Sequence, residues 1–399
     1  MRRLDKTQAF MGRARSAFRT VFWIATTCAC GALMKAAAAQ PLQPLHQQSL
    51  RTVRIEVFSL FRPKELVLRP VAGSSLVVEL GGCHLTLPRE ASFLIVHEID
   101  GEVQLQLTQE SGPAQGLALR AHALDSRVEN SSRFWLEVPG KLRRQFIGTL
   151  EILADRQTLE AVVTMPLETA VASVVEAESP SGAGMEALKA QAVAARSFLV
   201  ARQSAHSGFD FCDTTHCQFL RSPPGQASPA AEATRATKEL ILTWRDVESA
   251  QDRPLPAMYA RSCGGRTRTL RELGAPGKGY PYYAAHCVYC SHHPEVWRRE
   301  ALSATSPDAG PDSTAEPRTE KDRLNFNRVH GWGSIPSIAG RSSDSADNAG
   351  GRWVTGRGVG HGIGLCQLGA ADMAHHGASF AQILAHYYPN TRLASIPLQ

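Results

Sequence analysis

The stretch Val171 to Phe198, VASVVEAESPSGAGMEALKAQAVAARSF, decides how the rest of the chain is read. It opens apolar and sets Glu176 and Glu178 just before a turn signal, Ser179-Pro180-Ser181-Gly182. From Met185 the spacing of Leu188, Ala192, Val193 and Ala195 predicts a helix with a small apolar face, while Glu186, Lys189, Gln191 and Arg196 supply polar positions. A face this rich in alanine lets another backbone approach closely, so the helix is expected inside its domain. Glu178 then falls where one element stops and the next starts, and functional side chains concentrate at such joints.

Working outward, residues 1–39 read as an export signal. Arg2, Arg3, Lys6, Arg13, Arg15 and Arg19 form a basic region, Val21 to Met34 is mostly apolar, and Ala36 to Ala39 offers a small-residue cleavage site. The apolar run is shorter than the roughly 18 residues of a spanning helix. The expected location is therefore the periplasm or cell envelope, with an uncleaved membrane anchor as the alternative reading. Lipidation at Cys28 is disfavoured by Ala25-Thr26-Thr27 ahead of it. These 39 residues hold seven of the 43 basic and one of the 37 acidic side chains, so the remainder carries 36 of each sign. A near-neutral chain without a basic run interleaved with aromatics gives no support to nucleic-acid binding.

Residues 45–165 read as a β-rich amino-terminal module. Val53 to Val57 alternates cleanly, and Leu76 to Leu80, Phe93 to Val96, Val103 to Leu107, Phe146 to Ile152 and Leu159 to Met165 are strand candidates between turn formers. No cluster of titratable groups occurs there. Residues 166–393 form the second part, with helices expected over Ala230 to Leu240, after Ala370, and after a capping Ser379. Residues 303–351 are rich in Ser, Asp, Pro and Gly and read as a flexible insertion. The expected fold class is α+β, a β-rich amino-terminal part and a mixed catalytic part around a substrate cleft.

Seven cysteines lie beyond the signal, an odd number, so at least one is free, metal-bound or paired to another chain. His206, Cys212, His216 and Cys217 have metal-ligand chemistry, and Cys287-x-x-Cys290 has the spacing of half a zinc site. Disulfides are the competing reading in an exported protein. Cys212, Cys217, Cys287 and Cys290 are expected to lie together and tie the two halves of the cleft. Further on, Gly356 to Ala370 surrounds His361 with Gly360 and Gly362, which is expected to leave the imidazole accessible. A Cys-His hydrolase using Cys366 or Cys263 with His361 is a third, weaker arrangement.

The opening stretch resembles the signature of the stage II sporulation protein D (SpoIID/LytB) family. Val174, Val175, Glu178 and Pro180 match, then every residue from Glu186 to Ser197. Ser179 and Ala183-Gly184 depart from the family's Met and Trp-Pro, with the spacing from Glu178 to Glu186 kept. Asp213, Thr214, Thr215 and Gln218 resemble a second block, Tyr259, Ser262, Cys263, Gly264, Gly265 and Thr267 a third, and His361, Gln367, Gly369 and Ala370 a fourth. Cys366 departs from the fourth, where the family often has Ser.

The resemblance implies a peptidoglycan lytic transglycosylase acting on glycan strands stripped of stem peptides and leaving 1,6-anhydro-N-acetylmuramic acid ends. One carboxylic acid suffices for that reaction and no cofactor is required for it. Glu178 occupies the catalytic-acid position. Glu186 lies in the first turn of the expected helix, where the dipole keeps a carboxylate ionised, which points to a structural role. Gln191, Arg196, Tyr259, Ser262, His361 and Gln367 are the expected substrate-binding residues. A structural zinc near the Asp-Thr-Thr block is the metal the family implies. The second function is a non-catalytic wall-binding protein that enhances an N-acetylmuramoyl-L-alanine amidase, which would make that amidase a partner beside the glycan strands.

Overall fold

In Thr52–Val57 every second side chain is apolar, and the strand buries Val53, Ile55 and Val57 on one face. The same logic builds two large antiparallel-rich sheets. The computed structural model describes residues 52–72, 76–80, 83–87, 93–108, 119–123, 133–155, 157–203, 206–214, 216–273, 279–300, 345–346 and 352–396. The expected signal at 1–39 and nearly all of the insertion at 303–351 lie outside them. Ser345–Ala346 is described, as a short strand paired with Arg352–Arg357.

A seven-stranded sheet runs in the order Phe211–Cys212, Thr52–Val57, Thr158–Pro166, Thr149–Asp155, Leu119–Ala123, Leu76–Leu80, Cys83–Leu87. A five-stranded sheet runs Glu102–Thr108, Phe93–Ile99, Glu65–Pro70, Arg133–Val138, Leu142–Ile147. The single strand expected over Phe146 to Ile152 is two strands, one in each sheet. Gly148 joins them at φ +126°, and a Cβ there would run into the Thr164 carbonyl, so only glycine lets the chain pass between sheets.

The described helices are α1 (Leu167–Glu178), α2 (Met185–Ala201), α3 (Pro229–Ala236), α4 (Val288–His292), α5 (Gln367–His375) and α6 (Phe380–Tyr387). With the sheets they make an α+β fold. The cap expected at Ser379 is present, and Ser228 supplies one that the sequence reading did not name. Ser228 accepts from Ala231 N–H with Pro229 at the first position of α3, and Ser379 forms a capping box with Gln382 on α6.

Helix α2 is the axis of the molecule. Leu188, Ala192, Ala195, Phe198 and Leu199 pack into a core shared by the sheets and α1. Ala187, Ala190, Val193 and Ala194, on the other side, pack against Leu242, Ile363, Leu365, Ile383, Tyr387 and four buried cysteines. Small side chains permit close approach on both faces, so α2 is buried all round. Glu186, in its first turn, accepts Lys189 Nζ at 2.7 Å and the Phe380 N–H at 2.7 Å. These contacts hold its carboxyl below the usual carboxylate range. It thus satisfies an orphan donor at the start of α6 rather than capping its own helix.

Candidate active site

Glu178 is the last residue of α1, and the following N–H, on Ser179, bonds back to Val175 O at 3.1 Å. Pro180 stops the helix, and Gly182 at φ +76° turns the chain into α2. The helical geometry sends Glu176 to solvent and Glu178 inward, so the pair does not share a face. Glu178 Oε1 accepts the Phe219 N–H at 2.7 Å. Desolvation pushes its carboxyl up to about 7, against the opposing pull of that N–H and of the Tyr259 hydroxyl. The carboxyl end of a helix, with its negative dipole, is a poor place for a carboxylate and acts in the same direction. No carboxylate among the described residues contributes to the shift.

Three elements converge on Glu178. Gln191 comes from α2 and Tyr259 from the two-residue strand Tyr259–Ala260. That strand pairs in parallel with Leu365–Cys366, which leads into Gln367 at the start of α5. Gln367 Nε2 donates to Gln191 Oε1 at 3.5 Å. The Tyr259 hydroxyl lies beside Glu178 and Gln191, yet it and Gln191 Nε2 are buried with no partner in hydrogen-bonding geometry. Ser179 Oγ and Gln218 Oε1, flanking the same acid and its Phe219 contact in sequence, are likewise unpartnered. Buried polar atoms without partners are costly, and a group of them around one acid suits a polar ligand.

The structure places other expected binding residues elsewhere. Arg196 is 0 % exposed and makes a two-pronged pair with Glu168, Nε to Oε1 at 2.8 Å and Nη2 to Oε2 at 2.7 Å. It also donates to Leu240 O at 3.0 Å and Thr234 O at 3.2 Å. Its fork ties α1, α2, α3 and the strand Leu240–Asp246 together, and this leaves it no role in reaching a substrate. His361 is 6 % exposed rather than accessible. Its Nδ1 accepts the Ile363 N–H at 3.0 Å, and the ring also bonds the Tyr259 backbone. Burial pushes the imidazole down to about 4. The flanking glycines, at φ +94° and +68°, bend the chain around this neutral ring rather than opening it, and His361 supports the strand that carries Tyr259. Ser262 is buried with its Oγ 3.5 Å from Cys290 Sγ, on the sulfur side of that strand pair.

Six cysteines of the described residues fall into two sets, not one. His206, Cys212, His216 and Cys217 have their ligand atoms within 4.8 Å of one another, with His206 Nε2 3.1 Å from Cys217 Sγ and His216 Nδ1 3.7 Å from Cys212 Sγ. Cys287 and Cys290 gather instead with Cys263 and Cys366. The expected grouping of Cys212 and Cys217 with Cys287 and Cys290 is therefore corrected. Cys212 lies in the edge strand of the seven-stranded sheet and Cys217 on the loop that follows it, whereas Cys287 and Cys290 are held in the core on the far face of α2. Cys263 and Cys366 are buried among sulfurs, and His361 is committed to backbone, so no Cys-His nucleophile pair forms.

Two contributors were not legible beforehand. Phe219 acts through its backbone N–H, which side-chain identity does not reveal. Asp213 serves the fold: its Oδ2 accepts the Phe58 N–H at 3.1 Å and Arg144 Nη1 at 3.0 Å, which anchors the loop leading to Phe219.

Comparison with known proteins fits this geometry. Residues 155–244, which span α1, the Glu178 turn, α2 and the Cys/His loop, match the family model described as SpoIID, stage II sporulation protein. A stage II sporulation protein D of Bacillus amyloliquefaciens is 28% identical over 263 residues, covering 58% of this chain and 75% of that protein. One from Bacillus subtilis (strain 168) is 25% identical over 273 residues, 60% of this chain and 77% of that protein. A protein of Bacillus subtilis (strain 168) named amidase enhancer is 50% identical over 42 residues, 10% of this chain and 6% of its own. By its motif blocks and by these matches, the chain is similar to the stage II sporulation protein D family, whose model it matches over residues 155–244.

Proposed function

We propose that this is an exported cell-envelope protein that cleaves peptidoglycan glycan strands as a lytic transglycosylase, with Glu178 as its acid. The observation that carries the reading is Glu178 itself, a desolvated carboxyl titrating near 7 beside unpartnered Tyr259 and Gln191 groups. A protonated Glu178 donates its proton to the glycosidic oxygen as the bond to the anomeric carbon breaks. The resulting carboxylate takes the proton of the 6-hydroxyl as that oxygen attacks the same carbon, closing the 1,6-anhydro ring. The acid is regenerated and no water nucleophile enters, so a second carboxylate is not needed. Tyr259, Gln191 and Gln367 offer donors and acceptors for sugar hydroxyls.

His206, Cys212, His216 and Cys217 would hold a structural zinc, since two thiolates and two imidazoles this close suit a tetrahedral ion. Bound there, the ion would supply folding energy and no chemistry. It would steady the loop whose next residues, Gln218 and Phe219, meet Glu178.

The second reading is an amidase-enhancing wall protein, favoured by the short match to a protein of that name. Against it stands the desolvated state of Glu178, kept despite Ser179 and Ala183-Gly184 in the turn. Digestion of denuded glycan strands with product mass spectrometry separates the two. Anhydro ends that vanish in Glu178→Gln are expected. No anhydro ends from the wild type, with faster turnover of a cell-wall amidase, would establish the alternative.

A further inference from the structure

We propose that Cys263, Cys287, Cys290 and Cys366 form a second, separate metal site, a tetrahedral four-thiolate site for one zinc ion. All four sulfurs lie within 4.8 Å of one another and all four residues are buried. They come from three places in the chain: the turn after the Tyr259 strand, the start of α4, and the residue that caps α5. Two zinc–sulfur bonds of about 2.3 Å at the tetrahedral angle put neighbouring sulfurs about 3.8 Å apart. Cys290 Sγ and Cys366 Sγ are 3.5 Å apart, which matches that spacing and exceeds the roughly 2 Å of a disulfide. Two disulfides would also sort four sulfurs into bonded pairs, whereas these are mutually close. An iron–sulfur cluster of several irons needs room for metal and sulfide between its thiolates, and this spacing leaves room for a single ion.

The surroundings suit concentrated negative charge. Four thiolates around Zn²⁺ carry a net charge of −2, and donors point at them. The Gly369 N–H reaches Cys366 Sγ at 3.5 Å, the Tyr387 hydroxyl Cys287 Sγ at 3.7 Å, and Ser262 Oγ lies 3.5 Å from Cys290 Sγ. Such contacts orient and stabilise metal thiolates. Gly369 is required for the packing, because a Cβ there would lie 2.5 Å from Cys287 Sγ. The cysteine at 366, an unusual residue for this family block, thereby gains a role. The site clamps the back of the Tyr259–Leu365 strand pair, so it positions Tyr259 and Gln367 from behind while touching no substrate.

Elemental analysis and zinc-edge X-ray absorption of the full chain, purified without chelator, test this without reference to glycan cleavage. Two zinc ions per chain are expected, with an average first shell of three sulfurs and one nitrogen. Cys366→Ser should lose one equivalent and leave a shell of two sulfurs and two nitrogens. Conversely, His206→Ala/Cys217→Ala should retain one equivalent bound by four sulfurs. One zinc per chain in the wild type with two sulfurs and two nitrogens, or iron in place of the second zinc, would overturn the proposal. The wild-type measurement stands even where Cys366→Ser does not fold.

Discussion

The pH dependence of the proposed cleavage rests on Glu178, although burial also raises Glu56 to about 7 and Asp213 to about 6. Glu178 is raised to about 7 by desolvation, so its protonated form persists into the neutral range. Cleavage of denuded strands should fall as pH rises through about 7, because the acid is then ionised. Tyr259 stabilises the ionised form, so Tyr259→Phe should move that alkaline limb upward while lowering the maximal rate about tenfold or more; kcat measured across pH decides it. The same shift has a stability consequence of opposite sense to most carboxylates. A folded-state value above the unfolded one stabilises the fold at acid pH, and that contribution is lost as pH rises through about 7. Glu178→Gln should therefore be more stable than the wild type at about pH 8, by up to about 3 kcal/mol, and melt at a higher temperature. The difference should shrink towards about pH 5. Equal melting at both pH values would mean that the carboxyl is solvated.

Between elements, the fold relies on polar groups at helix ends and on glycines at crossings. Glu186 holds the first turn of α6 through the Phe380 N–H. Glu186→Ala should cost about 1 kcal/mol, read as a lower denaturant midpoint with the m-value kept, and should leave the alkaline limb of activity unmoved. Gly369 on α5 lies against Tyr387 of α6 and Cys287 ahead of α4. Gly369→Ala forces these three segments apart and should cost about 1–3 kcal/mol in the same measurement. A value near zero would show that the contact yields easily.

Across the whole molecule, α2 divides two cores, and a cluster of side chains able to hold a metal lies at each. The Cys/His set precedes Phe219, and the four-cysteine set backs Tyr259 and Gln367. Phe219 stands on a loop and Tyr259 on a two-residue strand, with little secondary structure of their own to stiffen them. A chelator that strips bound zinc should lower the melting temperature and make residues 206–219 and 259–290 more sensitive to protease, and added zinc should reverse both effects. Unchanged melting after verified metal removal would assign the rigidity of these segments to packing alone.

The chain by itself determined much of this. Period-two alternation located Val53 to Val57, flanking turn formers bracketed Leu76–Leu80, and alanine spacing located α2, because local sterics and burial act within a few residues. The position of Glu178 ahead of a Pro-Gly turn, and the capping Ser379, were legible for the same reason. What tertiary structure alone decided involves partners distant in sequence. Arg196 reads as a polar helix position, yet its four bonds reach residues 28 to 44 positions away. His361 reads as exposed among glycines, yet the positive φ of those glycines wraps backbone around it. Spacing alone joined Cys287 to Cys290, but it could not show that Cys263 and Cys366 complete the set. That pairing depends on a parallel strand contact between Ala260 and Cys366, and a contact across some hundred residues leaves no periodic trace in the chain.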